Sequence, residues 1–129
     1  MNAAIRNEIF CAMPTRIGAL ADVTRALADA GVDIEGIGAY DKDGRGEFML
    51  VVSDNAAGAS ALRAIGAEVT EKPVILVEVD NTAGALAEIA EKVAAADINV
   101  SWVYASAAGP RATIVLRTSD NERAVELLG

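Results

Sequence analysis

The chain has no histidine and one cysteine, Cys11. The first absence removes Ser-His-Asp and Cys-His nucleophile systems and histidine-ligated metals. The second leaves no intrachain disulfide and no cysteine zinc cluster, and it suits a reduced, cytoplasmic setting. Basic residues are scarce: 11 Lys and Arg face 19 Asp and Glu, for a net charge of −8. Nucleic-acid binding leans on Lys and Arg that neutralise phosphates, so that class is disfavoured, as is an anionic membrane surface. Apolar runs are short, such as Val74-Ile75-Leu76-Val77, far below a bilayer span. The opening Met1 to Phe10 is broken by Arg6 and Glu8 and lacks a signal-peptide apolar core. Aromatics are 4% of the residues, so a core must be built from aliphatic and small side chains in close backbone packing.

Apolar residues, by contrast, make up 53% of the chain, and alanine alone supplies 27 of the 129 residues. That length allows one ordinary domain or two very small ones. Self-comparison favours two. At a shift of 66 residues, Gly18-Ala19-Leu20-Ala21 falls on Gly84-Ala85-Leu86-Ala87, and Ser53-Asp54-Asn55 on Ser119-Asp120-Asn121. Residues 13–63 and 79–129 agree at 13 of 51 positions without a gap. Alanine inflates the count, but the glycine and the Ser-Asp-Asn triplet are not explained by composition.

Both copies predict the same elements. In the first, Ile5 to Met13 reads as a strand. Ile17, Leu20, Val23 or Thr24, and Leu27 recur at helical spacing up to Gly31. Ile34 to Tyr40 and Glu47 to Ser53 read as strands joined by a turn at Asp41-Lys42-Asp43-Gly44. Asn55 to Ile65 is a helix capped by Asp54 or Asn55, and Ala67 to Lys72 a further strand. In the second copy, Val74 to Val79 is a strand and Leu86, Ile89, Val93 and Ala96 form a helical stripe. Val100 to Ala105 and Thr113 to Arg117 are strands around a turn at 107–110. Glu122 to Leu128 is a helix, with Ser119 and Glu122 at capping-box spacing.

The expected fold class is therefore α+β: two tandem ferredoxin-like βαββαβ repeats, 1–72 and 73–129, each an antiparallel sheet with helices on one face. Pro73 marks the boundary. The second repeat ends at Gly129 without a closing strand, which leaves the apolar edge Val74–Val79 to be covered by the first repeat or by a second subunit.

Most candidate motifs read as ordinary structure. Gly36 and Gly38 lie within a strand and form no dinucleotide fingerprint. Asp41, Asp43 and Gly46 resemble a calcium loop only superficially, since Arg45 and Val52 fall at ligand positions. Cys11 has no histidine to activate it and sits in an apolar strand, as a buried, inert thiol does. Asp33 and Glu35 read as a solvated edge. No metal, cofactor or catalytic residue is expected. The two strand-to-helix turns differ: Thr15 to Leu20 and Asn81 to Leu86. A helix amino end offers N–H groups without carbonyl partners and the positive end of a dipole, where a carboxylate can dock. Gly18 and Gly84 let a ligand approach the backbone, and Asn81 can either cap the helix or bind a ligand.

The stretch Val79-Asp80-Asn81-Thr82-Ala83-Gly84-Ala85-Leu86-Ala87-Glu88-Ile89, followed by Ala96-Asp97-Ile98-Asn99-Val100, resembles the ACT domain, a small-molecule-sensing module of amino-acid metabolism. The likeness covers about residues 5–128 and matches stand-alone proteins of two ACT domains. In members that bind amino acids, two asparagines hold the ligand, three residues before the turn glycine and fifteen after it. Here those positions are Asn81 and Asn99. The resemblance implies a ligand site at Asn81, Thr82, Gly84, Ala85, Leu86, Asn99 and Val100. Its first-copy counterpart comprises Thr15, Gly18, Ala19, Leu20 and Asp33, where Asp33 replaces the second asparagine. The family's turn proline is Ile17 in one copy and Ala83 in the other. Trp102 and Tyr104 wall a side-chain pocket or pack at an interface.

The function so implied is non-catalytic regulation through binding of a small amino acid between adjacent domains. The expected partners are a second copy of the chain and an enzyme of amino-acid metabolism. The alternative is a protein-binding regulatory or structural subunit with no metabolite ligand, using the open sheet edge.

Overall fold

A computed structural model describes residues Met1–Gly129. In chain order the elements are β1 (Asn2–Pro14), α1 (Ala19–Asp29), β2 (Ile34–Lys42), β3 (Arg45–Val52), α2 (Asn55–Ala64), β4 (Glu68–Asp80), α3 (Ala85–Ala95), β5 (Val100–Ala108), β6 (Arg111–Thr118) and α4 (Asn121–Leu128). The expected β-α-β-β-α order appears twice. The chain divides into two compact units: Asn7–Lys72, and Pro73–Gly129 together with Met1–Arg6.

In the unit Asn7–Lys72 the strands run β2-β3-β1-β4. β1 and β3 are antiparallel, with Ile9 opposite Leu50 and Cys11 opposite Phe48. Alternation puts Ile9, Cys11 and Met13 on one face of β1 and Phe48, Leu50 and Val52 on the same face of β3. Val23 and Leu27, one helical turn apart on α1, and Leu62 on α2 meet them in a closed core. Gly58 lets α2 lie close: a Cβ there would stand 3.3 Å from Ile9 Cδ1 and 3.4 Å from Val52 Cγ2. The β2–β3 turn centres on Asp43 and Gly44, both at positive φ (52° and 78°), one step later than the sequence suggests.

The other unit repeats the plan, with strands in the order β1-β4-β6-β5. Ile75, Val77 and Val79 of β4, Ile114 and Leu116 of β6, and Ile89, Val93, Ala124 and Leu128 of the helices form its core. The strand this repeat lacks is supplied by the start of β1: Met1–Arg6 cluster with Pro73–Gly129, and Ala3 packs on that core. The edge Val74–Val79 is thus not open.

Two expected strands, 67–72 and 74–79, are one continuous strand, β4, of 13 residues. Pro73 interrupts nothing. β6 pairs with β4 from Ile75 onward, so the proline lies where that ladder has not begun and its missing N–H costs no bond there.

Candidate functional site

Each unit enters its first helix through a glycine in the left-handed region. Gly84 has φ 87° and caps α3, and Gly18 has φ 89° and caps α1, neither helix having a side-chain cap. An ordinary L-residue avoids this conformation, which accounts for the glycine shared by the two turns. Asn81 does not cap the helix. Its Nδ2 donates to Gly109 O at 3.0 Å, and its backbone N–H to Pro110 O at 2.9 Å. It thereby ties the β4–α3 turn to the β5–β6 turn. The second amide N–H and the carbonyl oxygen of Asn81 exceed what that single donation uses.

Beside this tie lies an open cleft of about 230 Å³. Asn81, Thr82, Ala85 and Leu86 line it, as the sequence suggests. Ala105, Ser106 and Ala107 of β5 and Ala112 and Ile114 of β6 complete it; sequence reasoning missed all five. The signal was present in the hairpin itself, whose return brings the far end of β5 back to the end of β4. Ala105 faces Ile114 and Ala107 faces Ala112 across the ladder, on the face that carries the helices. On the other side of the turn a second cleft, of about 250 Å³, is charged. It holds Asp80, Glu88 and Arg111, with Arg111 Nη1 2.8 Å from Asp80 Oδ1.

Asn99 and Val100 are not at this cleft. They stand at the opposite end of β5, about eight residues and roughly 25 Å along the strand from Ala108. Val100 is half-buried against the core. The main chain of Asn99 is clasped by Ser119: Asn99 N–H donates to Ser119 Oγ at 3.0 Å, and Ser119 N–H to Asn99 O at 2.9 Å. Asp33 and Ser53 make the same pair of bonds, at 2.9 and 3.0 Å.

The first unit's turn carries charged side chains, and the cleft beside α1, of about 380 Å³, is lined by Arg16, Asp22, Arg25 and Asp29. Arg16 Nη2 lies 2.7 Å from Asp22 Oδ2, beside the amino end of α1. Thr15 Oγ1 donates to Asp41 Oδ1 at 3.3 Å, and Thr15 N–H to Gly44 O at 2.9 Å. Ala19 is buried at the helix start, whereas Leu20 is 56% exposed and Ile17 wholly so.

Trp102 and Tyr104 pack edge to face, centroids 6.4 Å apart. Tyr104 pairs with Val115 and Val103 with the core residue Leu116, so the two rings lie on the face away from the cleft and do not wall it. Cys11 is buried, and burial pushes its thiol up to about 11. No three His, Cys, Asp or Glu side chains gather in a metal-binding cluster, and no helix is long and apolar enough to cross a membrane.

The ACT domain family model matches residues 8–69. A sequence search of curated proteins returned no match. Among solved structures, protein BT0572 from Bacteroides thetaiotaomicron is similar with a TM-score of 0.89 at 23% identity, over 99% of this chain and 89% of that one. The ligand-free regulatory subunit of aspartate kinase from Thermus thermophilus gives 0.74 at 18% identity, over 99% and 95%. The corresponding subunit from Thermus flavus gives 0.66 at 19%, over the same shares. At these identities the likeness is one of fold. Residues 8–69 thus belong to the ACT domain family, and the second half of the chain repeats their β-α-β-β-α order and turn glycine.

Proposed function

We propose that the protein is a non-catalytic regulator that binds a small amino acid at the β4–α3 turn and signals occupancy to an enzyme of amino-acid metabolism. The observation that carries this is the cleft where Asn81, Thr82, Ala85 and Leu86 meet the β5–β6 hairpin. The amino end of α3 suits the ligand's carboxylate, and the amide of Asn81 suits its polar head. The first unit, whose turn holds the Arg16–Asp22 ion pair, is the poorer site. Proteins named as regulatory subunits share the fold over nearly their whole length.

Asn99 joins the site only through a second copy. Within one unit it is too far from Asn81 for one small molecule to touch both. β5 is the outermost strand of its unit, and two copies paired antiparallel along β5 would bring the partner's Asn99 end toward Asn81. The protein would then act as a homodimer with two equivalent sites.

A thermal-shift screen of the full chain against the twenty amino acids tests this, combined with light scattering. A ligand at 100 times its Kd adds about 2.7 kcal/mol, a rise of several degrees at this size. The expected result is a dimer stabilised by one or a few amino acids, with the response lost in both Asn81→Ala and Asn99→Ala. The ligand-free Tm should be little changed in Asn99→Ala and should fall by no more than a few degrees in Asn81→Ala, which loses the bond to Gly109 O. Undiminished binding in both variants would place the ligand elsewhere.

The second reading, a protein-binding subunit without a metabolite, loses the sheet edge that suggested it, since β1 covers Val74–Val79. The exposed Ile17 and Leu20 at the tip of α1 favour it instead. A flat amino-acid screen together with a co-purifying enzyme would support it.

A further inference from the structure

The two units place different chemistry at the same repeat positions around the turn. In the first unit, Asp41 stands where the second has Ala107, Phe48 where it has Ile114, and Arg16 where it has Thr82. A Cβ built at Gly46, the counterpart of Ala112, would lie 3.4 Å from Phe48 Cε2 and 3.6 Å from Asp41 Oδ1. The ring and the carboxylate therefore lie at ordinary contact distance from that end of the hairpin, and Asp41 already accepts a hydrogen bond from Thr15. In the second unit these groups are replaced by alanine and isoleucine, and the same place is an open cleft.

We propose that this cleft selects an amino acid with a short, uncharged aliphatic side chain and rejects charged ones. The inference rests on the amino-acid-binding reading above and adds the class of ligand. The floor of the cleft is formed by the cross-strand pairs Ala105–Ile114 and Ala107–Ala112, with Leu86 along one wall. No charged side chain lines it. A lysine ammonium or an aspartate side-chain carboxylate resting against that floor would find no charged partner in the cleft and would gain nothing over its contact with water. A methyl-bearing side chain would bury apolar surface there. Of the polar contributors, Asn81, Thr82 and the amino end of α3 lie together on the turn, where they meet the ammonium and carboxylate common to all amino acids, and Ser106 on β5 is the one neutral hydroxyl on the far wall. The charged residues nearest the turn, Asp80, Glu88 and Arg111, line the other cleft, and Asp80 and Arg111 are paired with each other. The net charge of −8 further disfavours an acidic ligand.

Isothermal titration of the full chain with valine, leucine and isoleucine, and separately with lysine, arginine, aspartate, glutamate and phenylalanine, tests the selection. The expected result is that at least one aliphatic amino acid binds tenfold or more tighter than every charged or aromatic one. Ala107→Asp, which copies the residue of the first unit at an exposed position, should weaken that binding at least tenfold without lowering the ligand-free Tm. If a charged or aromatic amino acid binds best, the selectivity inference fails while the amino-acid reading stands. If Ala107→Asp leaves aliphatic affinity unchanged, the cleft is not the side-chain pocket and the inference fails. If none of the eight binds, the selectivity inference fails, and the thermal-shift screen against all twenty decides the amino-acid reading separately.

Discussion

The glycines at the two helix entries show how much one residue's backbone decides. At Gly18 and Gly84 a built Cβ would meet no heavy atom within 4 Å, so space does not demand glycine there. The positive φ does. Gly84→Ala should therefore lower stability by about 1 kcal/mol, the usual cost of forcing an L-residue into that region, and reduce the Tm by a few degrees in calorimetry. Cys11 makes the opposite point, since its surroundings rather than its backbone set its chemistry. Burial favours the neutral thiol and raises its pKa from 9.0 to about 11. The unfolded chain ionises near 9, so this contribution to stability is whole below pH 9 and is lost as pH rises through 11. Denaturant midpoints measured from pH 8 to pH 11 should fall accordingly, more in the native chain than in Cys11→Ala. An alkylating reagent should label Cys11 only after unfolding.

The repeated Ser-Asp-Asn triplet turns out to be a joint between elements rather than a ligand motif. Its serine holds the main chain of Asp33 or Asn99, at the entry to β2 or β5. Its aspartate caps the following helix: Asp54 accepts from Ala57 N–H and Asp120 from Arg123 N–H, both at 3.0 Å. Its asparagine reaches back to β1 or β4, with Asn55 Nδ2 3.0 Å from Asn7 O and Asn121 Nδ2 3.1 Å from Pro73 O. The capping-box spacing of Ser119 and Glu122 misleads because Ser119 Oγ is already engaged by Asn99 N–H. The cap of α4 is Asp120. Asp120→Ala should cost about 1 kcal/mol, as caps generally do, and chemical denaturation would show it. At the end of α3, Asp97 holds φ 60° where the first repeat has Gly31 at 71°. Asp97→Gly should relieve that strain and raise stability by about 0.5–1 kcal/mol.

At the scale of the molecule, helix and strand order could be read from local spacing because apolar positions repeat every two residues in strands and every three to four in helices. The partner of Asn2–Arg6 could not. Pairing across about seventy residues leaves no local trace, and Ile5, with 42% exposure, carries little burial signal. Ala105 to Ala107 were legible as part of the cleft only through the β5–β6 hairpin, whose turn the sequence predicts, and not through a pattern of their own. Deleting residues 2–6 should bare the β4 edge of the second core and produce early unfolding or aggregation of that unit. An unchanged Tm would show that the strand is dispensable. The arrangement also bears on how the protein is made. β1 leaves the ribosome some seventy residues before the part of β4 that its opening segment needs. At 5–20 residues per second that is a wait of roughly 4–15 s. During that time β1, β2, β3 and the two helices between and after them can gather around Ile9 to Met13 while Asn2–Arg6 hang unpaired, and a second nascent chain on the same message would offer them an alternative partner.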